Sequence, residues 1–392
     1  MNRKIFVMAT LAAMTSSSAF ATSGNIDIYG VIAMSLDSVD NGNSPTPATR
    51  GTRDNKVSSN ASRLGFRGRE GIGEDLSVLW QIEQTINVDG TGTSTFASRN
   101  SFLGLKSEDL GTLLAGRYDS PYKFSTRKLD VFGLSLADNR SLLGGVAGKS
   151  AWMQFDGRRA STLVYKSPQF SGFSLAAAYV AGAETTSLAT QTKGSAWALA
   201  GMYEMNGLYG ALAWETHKVG SPSSGTLAGA AAGSFAGAGS KESAWKLGLG
   251  YQLNAYSLGF VYEKTSDSLG GAGATGPVAA CTAVGEDCYG HSVWYLAGKY
   301  LFGNDVLKLA YGRSGNLSGA VAGSDTSARQ FSLGYDHKLS KRTTLFALYT
   351  RLNNGSGIDY GLSTATVTTG STAAAGNGAT LAGLSFGMKH IF

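Results

Sequence analysis

The chain has 392 residues, 33 Lys and Arg against 27 Asp and Glu, and a mean hydropathy of −0.05. With 54 glycines, 6 prolines and no long apolar run beyond the amino terminus, the composition excludes a bundle of membrane helices. A Gly-rich, aromatic chain of neutral hydropathy with short alternating segments fits a transmembrane β-barrel, whereas a secreted β-solenoid requires a fixed short repeat that is not found.

In chain order, Arg3 and Lys4 precede an apolar run from Ile5 to Met14 and the small-residue stretch Ala19-Phe20-Ala21. This reads as a secretory signal peptide, residues 1–21, cleaved after Ala21, because the run is short of the roughly 20 apolar residues a span needs. Removing Arg3 and Lys4 takes the formal charge from +6 to +4 and leaves a barrel domain over 22–392.

Alternation begins at once. Ile26, Ile28, Ile32, Met34 and Leu36 share one face, with Asp27, Tyr29, Ser35 and Asp37 on the other. The same pattern sets Leu76, Val78, Trp80 and Ile82 against Ser77, Gln81 and Glu83, and Phe331, Leu333 and Tyr335 against Ser332 and Asp336. Such segments predict an all-β, antiparallel barrel of about sixteen strands, near 25–37, 62–71, 74–87, 99–108, 111–119, 158–168, 172–182, 195–205, 208–219, 243–253, 256–267, 291–302, 305–314, 328–339, 343–353 and 379–392. The last strand sets Leu384, Phe386, Met388, His390 and Phe392 on one face.

Tight turns alternate with long connections near 38–61, 88–98, 120–157, 183–194, 220–242, 268–290, 315–327 and 354–378, so both termini fall on the short-turn, periplasmic side. The third long connection stands apart. Leu129, Val131, Phe132, Leu134 and Leu136, spaced as in a short helical turn, are apolar residues an exposed loop does not need, so 120–157 is expected to fold inward and narrow the lumen.

Ile28-Tyr29-Gly30, Ser62-Arg63-Leu64-Gly65-Phe66-Arg67-Gly68, Arg99-Asn100-Ser101-Phe102-Leu103-Gly104-Leu105, Gly116-Arg117-Tyr118 and Gly387-Met388-Lys389-His390-Ile391-Phe392 occur in an order and spacing that resembles the general trimeric porins of Gram-negative outer membranes, of the beta-proteobacterial type. The resemblance implies a homotrimer in outer-membrane lipid and a water-filled channel passing small hydrophilic solutes and ions. It implies a third outer loop as constriction and an arginine cluster on the facing wall, matched here by Arg63, Arg99 and Arg158. It also implies that the outer-membrane insertion machinery reads the terminal signal, here Phe386, Met388, His390 and Phe392.

Independently, alternation places Arg63 and Arg158 in the lumen, while Arg99 shares a face with Leu103 and Leu105. Compared with the enteric members, Val31 replaces a lumen lysine, and Ser120 to Phe155 holds only Asp130 and Asp138 beside Lys123, Arg127, Lys128, Arg140 and Lys149. An electropositive constriction favours anions.

No catalytic arrangement is apparent. His217, His291, His337 and His390 lack ligand spacing, and no nucleophile elbow or phosphate loop is present, so neither an enzyme, a metal site, a cofactor nor a nucleic-acid partner is expected. Cys281 and Cys288 fall in one outer loop of an exported chain, where a local disulfide is the expected state. A substrate-specific channel for sugars, amino acids or phosphate is the alternative function, with a barrel hydrolase as a remote one.

Overall fold

Apart from the short polar segment Arg53–Ser59, the strands present large apolar side chains to one side and small or polar ones to the other, and the sheet closes on itself so that no edge remains. The computed structural model describes residues 26–42, 51, 53–91, 95–145, 155–181, 194–218, 240–270, 278–362 and 376–392. The expected signal peptide and much of several long outer loops lie outside the described residues.

β1 (Asp27–Asp40) is met by two segments in line, β2 (Arg53–Ser59) and β3 (Arg63–Gly71). β4 (Leu76–Thr85), β5 (Ser101–Ser107), β6 (Gly111–Asp119), β7 (Arg158–Lys166) and β8 (Phe173–Val180) follow. Next come β9 (Ser195–Met205), β10 (Leu208–Lys218), β11 (Lys241–Leu253), β12 (Tyr256–Asp267) and β13 (Ser292–Phe302). β14 (Asp305–Ser314), β15 (Ala328–Lys338), β16 (Thr343–Asn354) and β17 (Thr380–Ile391) complete the wall. Each strand pairs antiparallel with its sequence neighbour, and β17 returns to β1 from Val31 opposite Ile391 to Asp40 opposite Ala382. Because β2 and β3 together make one staff of the barrel, the wall has sixteen strands.

The break between β2 and β3 falls at Ala61, whose φ of 52° removes it from the strand. Side chains repair the lost ladder: Asn60 Nδ2 donates to Ser35 Oγ at 2.7 Å, and Ser62 Oγ to the Ala33 carbonyl at 3.2 Å. The expected loop 38–61 therefore contains strand over Arg53–Ser59, which its polar sequence conceals. At the opposite end of the barrel the turns are tight. Asn206 and Gly207, both at positive φ (52° and 81°), form the two-residue hairpin whose twist matches the strands it joins.

The apolar core lies inside the lumen. Tyr122, Leu129, Phe132, Leu136, Leu142 and Phe155 of the 120–157 connection pack on Val261, Val293, Tyr295, Leu348, Leu352 and Leu381 of the wall. Fully burying each large aliphatic or aromatic side chain contributes about 1.5–3 kcal/mol, enough in sum to hold the segment across the barrel. Helix α1 (Pro121–Phe124), capped by Ser120, and short 3-10 turns at Arg127–Leu129 and Asn139–Ser141 carry it. Of Leu129 to Leu136, where the apolar residues suggest a short helical turn, only Leu129 is part of one; residues 131–136 form non-helical turns, with Leu134 at a φ of 66°.

The wall is cut back where the loop lies. A Cβ on Gly250 would come 2.7 Å from Leu129, one on Gly334 2.5 Å from Phe132, and one on Gly383 3.2 Å from Leu136. Glycine at inward positions of β11, β15 and β17 is thus the wall's half of the fit.

Candidate pore constriction

Three of the long side chains singled out in the sequence converge on the wall that faces the loop. Arg63 begins β3, and its Nε lies 3.6 Å from Glu83 Oε2, while Arg99 Nε donates to Glu83 Oε1 at 2.5 Å. Arg158 begins β7 and contacts Asp119 at 3.1 Å and Asn100 Oδ1 at 2.7 Å. The fifth strand starts at Ser101 instead of 99, so Arg99 precedes it and escapes the alternation that would share its face with Leu103 and Leu105. Its backbone N–H is instead bonded to the Glu83 carbonyl at 3.0 Å.

Across the gap stand the loop cations. Lys123 Nζ reaches Asp119 at 2.7 Å; Arg127 Nη2 donates to Asp138 at 2.9 Å and Arg140 Nε to the same carboxylate at 3.0 Å. Asp130 accepts from the Tyr295 hydroxyl at 2.8 Å and from the Phe132 and Asn139 backbone N–H groups. A cavity of about 360 Å³ lies between the two sides, bordered by Arg99, Arg158 and Asp119 on the wall and Lys123, Arg127 and Arg140 on the loop.

Burial and charge set the ionisation of the loop groups. Burial opposes the Asp138 carboxylate, yet Arg127 and Arg140 outweigh it and hold the group well below the usual carboxylate range. Burial, with the nearby Asp138 charge, pushes Asp130 up. Burial pushes Lys123 down to about 8, against the pull of Asp119 and with help from Arg158 and Arg140. The loop carboxylates lie behind their partners: the Asp130 and Asp138 side chains are 0% exposed, Arg127 20% and Arg140 17%.

The two ends of the loop are fixed by groups that sequence reading did not single out. Lys246 Nζ contacts Asp156 at 2.6 Å and Glu263 at 3.4 Å, and Glu263 accepts from the Tyr122 hydroxyl and the Gly144 N–H, both at 2.7 Å. His217 lies between Glu215 (2.7 Å) and Glu242 (2.5 Å) with the Phe155 ring stacked on it, centroids 4.8 Å apart. Inward parity could have flagged Lys246 and Glu263, since buried charges on a wall require partners. Asp119 was hidden because it follows a bulge between Gly116 and Tyr118 at the end of its strand.

On the turn side of the loop a second cavity of about 660 Å³ is lined by Lys128, Lys299, Lys308 and Lys338 with Glu204 and Asp336. Lys128 pairs with Glu204 and lies over the Tyr209 ring, and Lys308 reaches Asp336 at 2.7 Å.

The remaining singled-out residues are elsewhere. Phe386 and Met388 face outward on β17, His390 accepts or donates at Nδ1 with Thr343 Oγ1 at 2.9 Å, and Phe392 exchanges backbone bonds with Gly30 at 3.0 and 3.1 Å. Cys281 and Cys288 are joined in a buried disulfide with a Cα separation of 5.7 Å. Among the described residues no cluster of three or more His, Cys, Asp or Glu could hold a metal ion.

The barrel superposes on an anion-selective porin from Comamonas acidovorans with a TM-score of 0.74, covering 94% of this chain and all of that one at 23% identity, a likeness of fold. An outer membrane porin of Bordetella pertussis is 28% identical over 313 residues, 74% of this chain and 76% of that protein. The major outer membrane protein P.IA of Neisseria meningitidis is 38% identical over 119 residues, 30% of this chain; the matched stretch spans 28% of that protein's length. The sequence profile of the Gram-negative porins matches residues 9–357. With a closed sixteen-strand wall and most of its length inside that match, the chain belongs to the Gram-negative porin family.

Proposed function

We propose that this outer-membrane barrel is a general diffusion pore for small hydrophilic solutes and ions, that it prefers anions, and that it has no catalytic activity of its own. The observation that carries the preference is the unequal exposure of the loop charges. Arg127 and Arg140 reach the gap, while Asp130 and Asp138 are sealed behind them. Around the gap, six cations (Arg63, Arg99, Lys123, Arg127, Arg140 and Arg158) face four carboxylates (Glu83, Asp119, Asp130 and Asp138), a surplus of two. A positive ring in a narrow, low-dielectric section concentrates anions and repels cations over about 8 Å, the Debye length at physiological salt.

The working unit in this reading is a homotrimer delivered by the outer-membrane insertion machinery, with Phe386, Met388, His390 and Phe392 as the recognised end. Small outward residues on adjacent strands, Ala177 and Gly201, leave room for a neighbour. An oligomer that persists in mild detergent and separates on boiling supports this; a monomer in several mild detergents does not.

The test is a planar bilayer under a KCl gradient. The reversal potential should report chloride over potassium, with the preference shrinking as salt rises. A clear potassium preference overturns the reading. Saturating, solute-competed current would mark the alternative, a channel specific for one sugar, amino acid or phosphate.

A further inference from the structure

The inward face of a water-filled barrel is polar by rule, and three neighbouring strands break the rule together. Val31 on β1 lies directly opposite Ile391 on β17, both turned inward, and Phe346 on β16 is turned inward beside them. Inward apolar groups such as Val293 and Leu381 are covered by the 120–157 segment. Here the cover is incomplete. Ile391 is 42% exposed and Leu134 of the segment 36%, so apolar surface meets water next to the constriction.

These side chains enclose a niche. Val31, Phe132, Leu134, Phe346, Leu348 and Ile391 line a cavity of about 160 Å³ on the turn side of the segment. An apolar space of about 150 Å³ is enough to hold one benzene ring. The Phe346 ring occupies the place a Cβ on Gly387 would take, and Phe132 is seated over Gly334, so glycines in the wall hold both rings in position. Leu134 lines this niche and the 360 Å³ constriction gap alike, and does so at a φ of 66°. A residue with a side chain is strained in that region, and such positions cluster where ligands are gripped.

The niche also carries charge. Arg63 lies directly opposite Val31, and Lys389 stands two residues before Ile391 on the same face. With Lys308 they make three cations lining the space against one carboxylate, Asp336, which Lys308 already holds at 2.7 Å. Arg63 shares Glu83 with Arg99, which leaves it donors to spare. Lys389 makes no ion pair among the described residues, and Asp336 acts on it only from a distance.

We propose that this niche binds aromatic monocarboxylates on their way through the pore. The ring lies among Leu134, Phe346 and Ile391, and the carboxylate accepts from Arg63 and Lys389. A small aliphatic acid finds only the cations and a neutral ring only the apolar surface, whereas an aromatic acid uses both. The proposal rests on the reading of the barrel as an anion-preferring diffusion pore and adds a class of solute to it. Binding is transient, and the bound anion lowers the chloride current for as long as it stays.

The test is the single-channel current of the full-length barrel in KCl with benzoate, acetate or benzamide added to both sides. Benzoate should lower the current saturably, with its half-effect about tenfold below the concentration at which acetate or benzamide acts. Leu134→Asn combined with Ile391→Ser removes the apolar edge, keeps every charge and leaves at 134 a residue that tolerates positive φ; it should bring benzoate to the level of acetate. Lys389→Gln should weaken benzoate and leave benzamide where it was. Equal action of benzoate and acetate on the wild type overturns the proposal, whether or not the variants insert, and so does a double variant that still separates them. The reversal potential in the same solutions keeps the two readings apart. A chloride-preferring pore that treats benzoate as acetate loses only the niche, and a potassium-preferring pore that separates them loses only the anion preference.

Discussion

Arg127 holds Asp138 with both terminal nitrogens, at 3.1 and 2.9 Å, inside the segment that crosses the lumen. Removing one partner of a buried pair leaves the other uncompensated and costs about 3–5 kcal/mol. Asp138→Asn should therefore loosen the segment while leaving the wall intact. Protease cleavage within 120–157 should rise and single-channel noise increase. Because Asp138 has a depressed folded value, its stabilising contribution is present above the normal carboxylate range and is lost only as pH falls below it; the wild-type loop should stay resistant through pH 4.

Lys123 offers a second handle on pH. Burial pushes its amine down to about 8, below the unfolded value of about 10.4. The folded state thus binds fewer protons between those values, so this group adds stability as pH rises from 8 to 10. In the same window the gap loses a positive charge. Anion preference, read from reversal potentials, should decline through pH 8 in the wild type and show no such step in Lys123→Met.

Charge reversal on the wall tests the selectivity directly. Arg63→Glu together with Arg158→Glu converts a surplus of two positive charges into a deficit of two, so the reversal potential should change sign toward potassium at low salt. Heat-modifiable migration on a gel checks that the barrel still forms. Asp119→Asn should act in the opposite direction and raise the chloride preference.

The glycine cradle predicts a purely steric effect. Gly250→Leu drives side-chain atoms into Leu129, and overpacking of this kind typically costs 1–3 kcal/mol. The loop should shift toward the arginine wall, and the single-channel conductance should fall with the ion preference largely retained. Unchanged conductance would mean that the loop is not seated on β11.

The seam supplies a further test. Phe392 exchanges two backbone bonds with Gly30, and a Cβ at Gly30 would meet its ring. Deleting Phe392 should lower outer-membrane yield and leave degraded periplasmic chain, without altering the conductance of barrels that do insert. Normal surface levels would remove the terminal residue from the assembly signal.

The wall was legible because alternation is a one-residue rule: Ile26, Ile28 and Leu36 outward and Ser35 and Asp37 inward follow from position alone. Arg63 and Arg158 were within reach of the same rule. What failed did so where the rule stops. Arg99 lies before its strand, Asp119 after a bulge, and the polar run Arg53–Ser59 forms strand through pairing with β1 that its own composition does not advertise. The partners of the loop were harder still. That Asp138 would be sealed by two arginines and that Glu83 would bridge Arg63 and Arg99 depends on side chains meeting across a lumen, which no local spacing encodes.

The pairing of Gly30 with Phe392 joins residues 362 positions apart, and every other staff of the wall lies between them. Closing so long a loop costs entropy before it returns any contact, and a topology built on distant pairing is slow to form. The hairpins can zip locally as the chain becomes available, but the ring remains an open sheet with two sticky edges until the last residue arrives. Such an intermediate is a template for self-association. The molecule's hazard is therefore in its journey: for most of that time it is an aggregation-prone ribbon, and the final hydrogen bonds to Gly30 turn it into a stable wall.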